Sequence, residues 1–266
     1  MKLQVLVATL NNKNAEELYK KMNLTSDALI INQSNEVKYE KKCINNSLME
    51  CYTFNERGLS KSRNNALLRC NGDIICFADD DMVYSNNYND DIIKEFNNHP
   101  EADAIVFNVN SNIVERSAKK ILKFSKVGKM EFREYGSVHI AIRTKAIKKR
   151  NIYFNTLFGS GAKYKSGEDT IFLKELLNKN LKLYKSPIVI GSVDMNNSTW
   201  FNGYTENYFV DRGAIITCMY PKIKKILFFI QACRNSKKLL GSYKYFHKIY
   251  KWYNKGASEY KDFFER

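Results

Sequence analysis

Asp79, Asp80 and Asp81 stand together directly after the apolar run Ile74, Ile75, Cys76, Phe77 and Ala78. Three adjacent carboxylates at the carboxyl end of a core strand repel one another. A hard divalent cation such as Mg2+ or Mn2+ relieves that repulsion, because it takes oxygen ligands and shares them with bound phosphates. Taken alone, an Asp run is also an ordinary exposed turn. A second acidic pair, Glu168 and Asp169, follows Gly159, Ser160, Gly161 and Gly167 and opens a helical stretch beginning at Thr170. Acids in a first helical turn stabilise it against the helix dipole, and a carboxylate there can equally accept a proton from an attacking hydroxyl. Third, Gly58 leads into Leu59, Ser60, Lys61, Ser62 and Arg63, the start of a helix whose amides and cation can face a diphosphate.

These groups need strands and helices to bring them together. Residues 3–10, 27–31 and 50–54 are short runs rich in branched, aromatic or Leu residues and bounded by Asn, Asp, Ser or Gly, which predicts three strands. Residues 15–22 have helical composition, with Asn14 placed as N-cap and acids in the first turn. A helix over 60–69, capped by its own Ser60, leads to a strand over 73–78 that is apolar on both faces and so belongs to a covered parallel sheet. A helix over 88–98 and a strand over 104–109 continue a strand and helix alternation through the first 110 residues. The pattern predicts an α/β fold with an open, doubly wound, mostly parallel sheet and helices on both faces. Ligands of such sheets lie beyond the carboxyl ends of the strands. Downstream, a strand over 138–143, a helix over 170–178 and a strand over 188–193 follow in less regular order. Residues 1–220 are thus expected to form the main domain, 1–110 as the nucleotide-binding half and 111–220 as the acceptor half, with 221–266 a basic, aromatic helical tail.

The chain has 266 residues, 44% of them hydrophobic, and carries a net charge of +15. Residues 115–150 and 222–266 each contribute +9, leaving −3 for the remainder. Two basic zones beside a slightly acidic body attract polyanions or an anionic membrane, or are simply a solvated lysine-rich surface. The opening segment lacks a secretory cleavage pattern and reads as a first strand. No apolar run approaches the ~20 residues that span a bilayer. The six cysteines form no C-x-x-C pair, which suits reduced structural thiols and a cytosolic setting. A basic RNA- or membrane-binding protein without catalysis explains the charge but not the acids after a buried strand. A sugar nucleotidyltransferase places a Gly-rich phosphate loop after strand one, where this chain has Ala8, Thr9, Leu10, Asn11, Asn12 and Lys13. A metal-held diphosphate leaving group and a separate carboxylate base are, by contrast, the two parts that sugar transfer with inversion requires.

In order and spacing these pieces resemble the family 2 glycosyltransferases with the GT-A fold, particularly bacterial enzymes of surface-polysaccharide synthesis. The resemblance covers roughly residues 1 to 200. It is carried by the strand ending at Thr9, by the segment from Gly58 to Asn64, by Phe77 to Met82, and by Gly167 to Thr170. It implies that Thr9, Asn11, Asn32 and Gln33 lie on the nucleobase side and Arg63 at the diphosphate or base. Asp79 and Asp80 would contact the nucleotide, Asp79 and Asp81 the Mn2+ or Mg2+ ion, and Asp169 would be the catalytic base. Glu168, Gly161 and Trp200 fall on the acceptor or sugar side. Many relatives carry Asp-Gly-Ser where this chain has Asn32, Gln33 and Ser34; an amide can still bond a base edge, so the resemblance still implies a UDP-sugar while this departure leaves the donor nucleotide open. The histidine that often follows the last core strand is absent, and Asp194 stands there. The Gln-x-x-Arg-Trp motif of processive synthases is missing too, which implies single-sugar addition to a glycan or lipid-linked acceptor. Tail aromatics among lysines in 222–266 suit a peripheral place on an anionic inner membrane face, or else packing against the catalytic domain or a second subunit of a homo-oligomer; no nucleic-acid partner is expected.

Overall fold

The structure is a computed structural model that describes residues 1–112, 119–128, 130–194 and 203–263. The chain divides into two compact units, one of Met1–Thr156 with Glu168–Asn197, the other of Leu157–Gly167 with Ser198–Arg266.

The first unit is built on β1 (Leu3–Leu10), β2 (Asp27–Gln33), β3 (Lys38–Ile44), β4 (Ser47–Phe54), β5 (Ile74–Asp79), β6 (Met82–Tyr84), β7 (Ala104–Ser111), β8 (Ser125–Lys126), β9 (Ile140–Arg143) and β10 (Leu183–Val193). Its helices are α1 (Ala15–Lys21), α2 (Leu59–Arg69), α3 (Tyr88–Asn98), α4 (Thr144–Lys149) and α5 (Glu168–Asn178). All the strands join one sheet in the order β3-β4-β2-β1-β5-β9-β7-β10-β6, with β8 added against β10. Strands β1, β2, β4, β5, β7 and β10 run in one direction, whereas β3, β6, β8 and β9 run against it. The sheet is therefore mostly parallel, as the buried apolar runs predicted.

Side chains of a strand alternate between faces, and β1 shows both faces covered. Leu3, Val5 and Val7 pack with Leu18 and Tyr19 of α1 and with Ile92 and Phe96 of α3. Leu6 joins Leu29, Ile31, Ala66 and Leu67 of α2 and Phe172 and Leu176 of α5 on the other side.

Three expectations are corrected. The strand and helix alternation breaks between β2 and β4, which are linked by the antiparallel edge strand β3 rather than by a helix. That strand, KYEKKCI, is mostly exposed, so no buried face imprints a pattern on its residues, and its lysines guard the sheet edge. Helix α2 starts at Leu59 with Gly58 as N-cap, at φ 125°, and not at a self-capping Ser60, which is buried on the helix face turned to the sheet. Helix α5 begins at Glu168, two residues before the expected Thr170.

The second unit contains α6 (Glu206–Met219), α7 (Lys224–Leu240) and α8 (Phe246–Asp262). Helix α6, expected in the acceptor half, packs closely with α8, and Phe209, Phe228, Ile249 and Tyr253 form their common core. The tail aromatics consequently divide: Phe228 and Tyr253 are buried and Trp252 stacks on Phe209 at 5.6 Å, while Phe229 and Tyr243 stay exposed. Gly213 and Gly256 permit the close crossing. A Cβ on Gly256 would lie 2.0 Å from the Val210 carbonyl oxygen, and one on Gly213 2.3 Å from that of Tyr253. Backbone cannot yield as a flexible side chain does. Gly256→Ala is therefore expected to destabilise this unit by about 1 to 3 kcal/mol, read as a lower urea midpoint; an unchanged midpoint would show that the crossing relaxes freely. Among the described residues no helix is long and apolar enough to cross a membrane.

Candidate active site

Parallel strands in register align their carboxyl ends. Thr9 pairs with Asn32, Asn32 with Thr53, and Ala8 with Asp79, which forms one row along the sheet edge. Asp79 lies two residues beyond Phe77 and so shares its face of the sheet. Phe77 meets Phe154 and Phe172 edge-on at 5.2 and 5.6 Å, and those two rings stack at 4.0 Å. Phe172 belongs to α5, so this aromatic cluster fixes the helix whose first turn carries Glu168 and Asp169. Glu168, one turn before Phe172, falls on the same side of that helix.

Arg63 joins the two acidic groups. It lies on the buried side of α2 with Ala66 and Leu67 and is only 3% exposed. Its Nη1 donates to Asp169 Oδ1 at 2.7 Å, and its Nη2 donates to Asp79 Oδ1 and Oδ2 at 3.0 and 3.2 Å. Glu168 Oε1 lies 3.7 Å from Nη1, and the guanidinium sits 5.3 Å from the centre of the Phe154 ring. One cation thus serves three carboxylates. Burial pushes the Asp79 carboxyl up against the pull of Arg63. Burial, and then the neighbouring Asp169, push Glu168 up to about 7.

Asp80 accepts a hydrogen bond from Thr9 Oγ1 at 2.5 Å. Asp81 opens to solvent on one side, yet partial loss of water and then the charges of Asp79 and Asp80 push it up to about 6. Antiparallel pairing of β6 with β10 brings Asp194 alongside: its backbone N–H donates to the Asp81 carbonyl at 3.3 Å, and its carboxylate accepts from Asn112 Nδ2 at 2.6 Å. Next to Asp80 and Asp81 lies a cleft of about 510 Å³, lined also by Asn12, Lys13, Glu17 and Lys21 from the loop and helix that follow β1.

The amides at the end of β2 hold loops. Asn32 accepts from the Asn12 N–H and donates to the Asn12 carbonyl, each at 3.0 Å. Gln33 donates to the Gly58 carbonyl and accepts from its N–H, at 3.0 and 3.1 Å, and so fixes the entry into α2 and the placement of Arg63. Asn11 is exposed and left-handed, φ 54°, with its N–H bonded to the Gln33 carbonyl at 2.8 Å. Gly161, φ 76°, belongs to a tight turn of the second unit in which Phe158 and Tyr164 stack at 5.0 Å. Trp200 lies outside the described residues.

Other residues at the site had no sequence signal. A Cβ on Gly136 would stand 3.2 Å from Asp169 Oδ2, so this glycine lets the turn before β9 approach the carboxylate. Nearby, His139 donates from Nδ1 to the Phe107 carbonyl at 3.1 Å, and burial pushes its imidazole below the ordinary histidine value. A lone His or Gly, or a surface lysine such as Lys13, has no sequence pattern that separates it from an ordinary one.

Residues 37–163 match the model of Glycosyl transferase family 2. That segment, just under half of the chain, is similar to family 2 glycosyltransferases and includes Arg63 and the acidic triplet. The match supports a transferase. Its structure is similar to that of residues 1–349 of S. aureus TarS in complex with UDP-GlcNAc, with a TM-score of 0.63 and 16% identity over 91% of this chain and 74% of that one. The same TarS segment with UDP gives 0.63 and 15%, over 98% and 92%. Against the longer S. aureus TarS structure the score is 0.59 at 15% identity, covering 90% of this chain and 44% of that one. At these identities the likeness establishes the GT-A fold. No protein in a search of curated sequences matches the chain.

The raised Glu168 gives the glycosyltransferase a pH signature. The folded state keeps a proton on Glu168 up to about pH 7, whereas the unfolded chain releases it near the ordinary value of about 4.3. Stability contributed by that proton is complete at the acid end of this window and declines as pH rises through it. Glu168→Gln is expected to remove this part of the slope, so that urea midpoints of variant and parent converge at pH 5 and diverge at pH 7.5 in favour of the variant. Equal midpoints at both pH values would show that Glu168 titrates normally.

Proposed function

We propose that this glycosyltransferase moves one sugar, with inversion, from a UDP-sugar to a hydroxyl of a glycan or lipid-linked acceptor in bacterial surface-polysaccharide synthesis. The observation that carries the reading is the buried Arg63 in contact with both Asp79 and Asp169. A single guanidinium spans the donor-side carboxylate and a second carboxylate, Asp169, whose Oδ1 it holds and which we assign as the base. In this reading Asp169 takes the proton of the acceptor hydroxyl, whose oxygen attacks the anomeric carbon as the bond to the diphosphate breaks. Glu168 orients the acceptor. Thr9, Asn11 and the end of β2 shape the nucleobase side, and Lys13 and Lys21 supply positive charge beside the triplet. The UDP-GlcNAc held by the TarS structure of the same fold supports uridine as the base.

The carboxylates of Asp79, Asp81 and Asp194 are an all-oxygen set suited to Mn2+ or Mg2+. Among the described residues no three His, Cys, Asp or Glu side chains already form a metal cage. The fit is therefore to an ion held by one or two carboxylates that completes its shell with water and donor phosphates, as Mg2+ commonly does. When bound there, such an ion would supply positive charge for the departing diphosphate. We also place the basic C-terminal helices against the anionic inner face of the membrane.

A thermal-shift series with UDP-, GDP-, CDP- and dTDP-sugars, each with Mn2+ or with EDTA, tests donor and metal together. A UDP-sugar with Mn2+ at about 100 times its Kd is expected to stabilise the fold by roughly 2.7 kcal/mol, with EDTA abolishing most of the shift. A shift that EDTA leaves intact would remove the metal from this scheme, and a shift with another nucleotide alone would reassign the donor.

A further inference from the structure

Helix α7 is apolar on two sides. Phe228 and Ala232 turn inward into the core with Phe209, Ile249 and Tyr253. On the outer side Ile226, Phe229 and Ile230 are 62%, 59% and 54% exposed, and Ile223, directly before the helix, is 48% exposed. Positions 223, 226, 230 and 233 recur at helical spacing and form one continuous stripe. A helix packed against two neighbours needs one apolar face, so a second, with large aliphatic and aromatic side chains in water, marks a surface made to be covered.

Charge identifies what covers it. Residues 221–258 contain ten Lys or Arg and no Asp or Glu. Arg234, Lys237 and Lys238 join Phe229, Ile230 and Tyr243 around a shallow groove of about 460 Å³ on this face. Lys222, Lys225 and Lys244 are exposed beside it. A second copy docked on the same face would set one positive rim against another, which is repulsive. An anionic bilayer supplies what both halves of the surface lack: an acyl boundary for the stripe and headgroup phosphates for the cations.

We infer that the outer face of α7, centred on Ile226, Phe229 and Ile230 with its rim of Arg234, Lys237 and Lys238, is the surface on which the protein lies against anionic lipid. The inference rests on the membrane placement proposed above and assigns it to one face of one helix. Phe228, Tyr253 and Trp252, which contribute to the same aromatic composition, are used in packing and take no part.

Co-sedimentation of the full chain with vesicles of equal parts phosphatidylglycerol and phosphatidylcholine, and with phosphatidylcholine alone, tests it without donor or acceptor. Binding to the anionic vesicles is expected, weakened at least about tenfold by high salt or by loss of the anionic lipid. The double variant Ile226→Glu with Phe229→Glu, its fold checked by circular dichroism, is expected to bind at least about tenfold more weakly. Leu122→Glu, a change at another highly exposed apolar residue, is expected to bind as the parent does. Parent protein that ignores anionic vesicles would overturn both the face and the membrane placement. Equal binding by parent and double variant would overturn the face alone. A dimer in sedimentation velocity that the double variant dissociates, with no vesicle binding, would assign the stripe to a second copy instead.

Discussion

Asp169→Asn is expected to lower the rate of sugar transfer by about a thousandfold while donor affinity stays within roughly threefold of the parent. The substitution keeps an oxygen that can accept the hydrogen bond from Arg63 Nη1, now 2.7 Å long, so the network and the α5 turn are retained. It removes the basic lone pair that would take the acceptor proton. Donor binding is measured by calorimetry and transfer by release of nucleoside diphosphate. Glu168→Gln is the comparison, since Glu168 is adjacent, more buried and held up at about 7. If Glu168→Gln cost more than Asp169→Asn in the transfer step, the two carboxylates would exchange roles. If Asp169→Asn retained transfer within tenfold of the parent, Asp169 would have no part in proton removal.

The second large effect is on stability. Arg63→Met keeps the stem volume in place and removes the cation that pairs with Asp79, Glu168 and Asp169 where they converge. Breaking a buried ion pair by removing one partner costs about 3 to 5 kcal/mol because the remaining charge is left uncompensated. A loss of that size is expected in urea unfolding at pH 7.5, with transfer abolished as well. Its pH dependence carries a sign. Without the pull of Arg63, Asp79 and Glu168 hold their protons to higher pH in the folded state, so the variant regains stability as pH falls through those raised values. The gap between parent and variant is therefore expected to narrow at pH 5. Arg63→Lys keeps the charge but not the planar fork that reaches Asp79 and Asp169 at once, so it is expected to restore stability in part and transfer little. A gap independent of pH would assign the loss to packing on Phe154 and not to charge.

What could be read along the chain follows from how strongly each residue's neighbours in sequence constrain it. Apolar runs such as Ile74 to Ala78 announced a covered strand, and Asn14 accepts from the Glu17 N–H at 3.2 Å as the expected cap of α1. Strand β3 escaped because an exposed edge strand buries neither face. The start of α2 was misplaced because its cap lies in the backbone of Gly58 and the side chain of Gln33, 25 residues earlier in the chain.

The sequence by itself determined the strand and helix alternation on either side of β3, the placing of an acidic triplet at the carboxyl edge of a buried sheet, and the family-like spacing of Arg63, Asp79 to Asp81 and Asp169. Burial periodicity and strand polarity are local properties, and local residue order encodes them. Only the tertiary structure decided that Arg63 is buried and meets both Asp79 and Asp169, the latter 106 residues further along the chain, that Asp194 arrives beside Asp81 through the β6 and β10 pairing, that Gly136 and His139 close in on Asp169, and that α7 exposes one apolar face while burying the other. Each of these depends on which elements become neighbours in the sheet or bundle. That choice is made by the summed packing of the whole fold, which no stretch of residues around the site records.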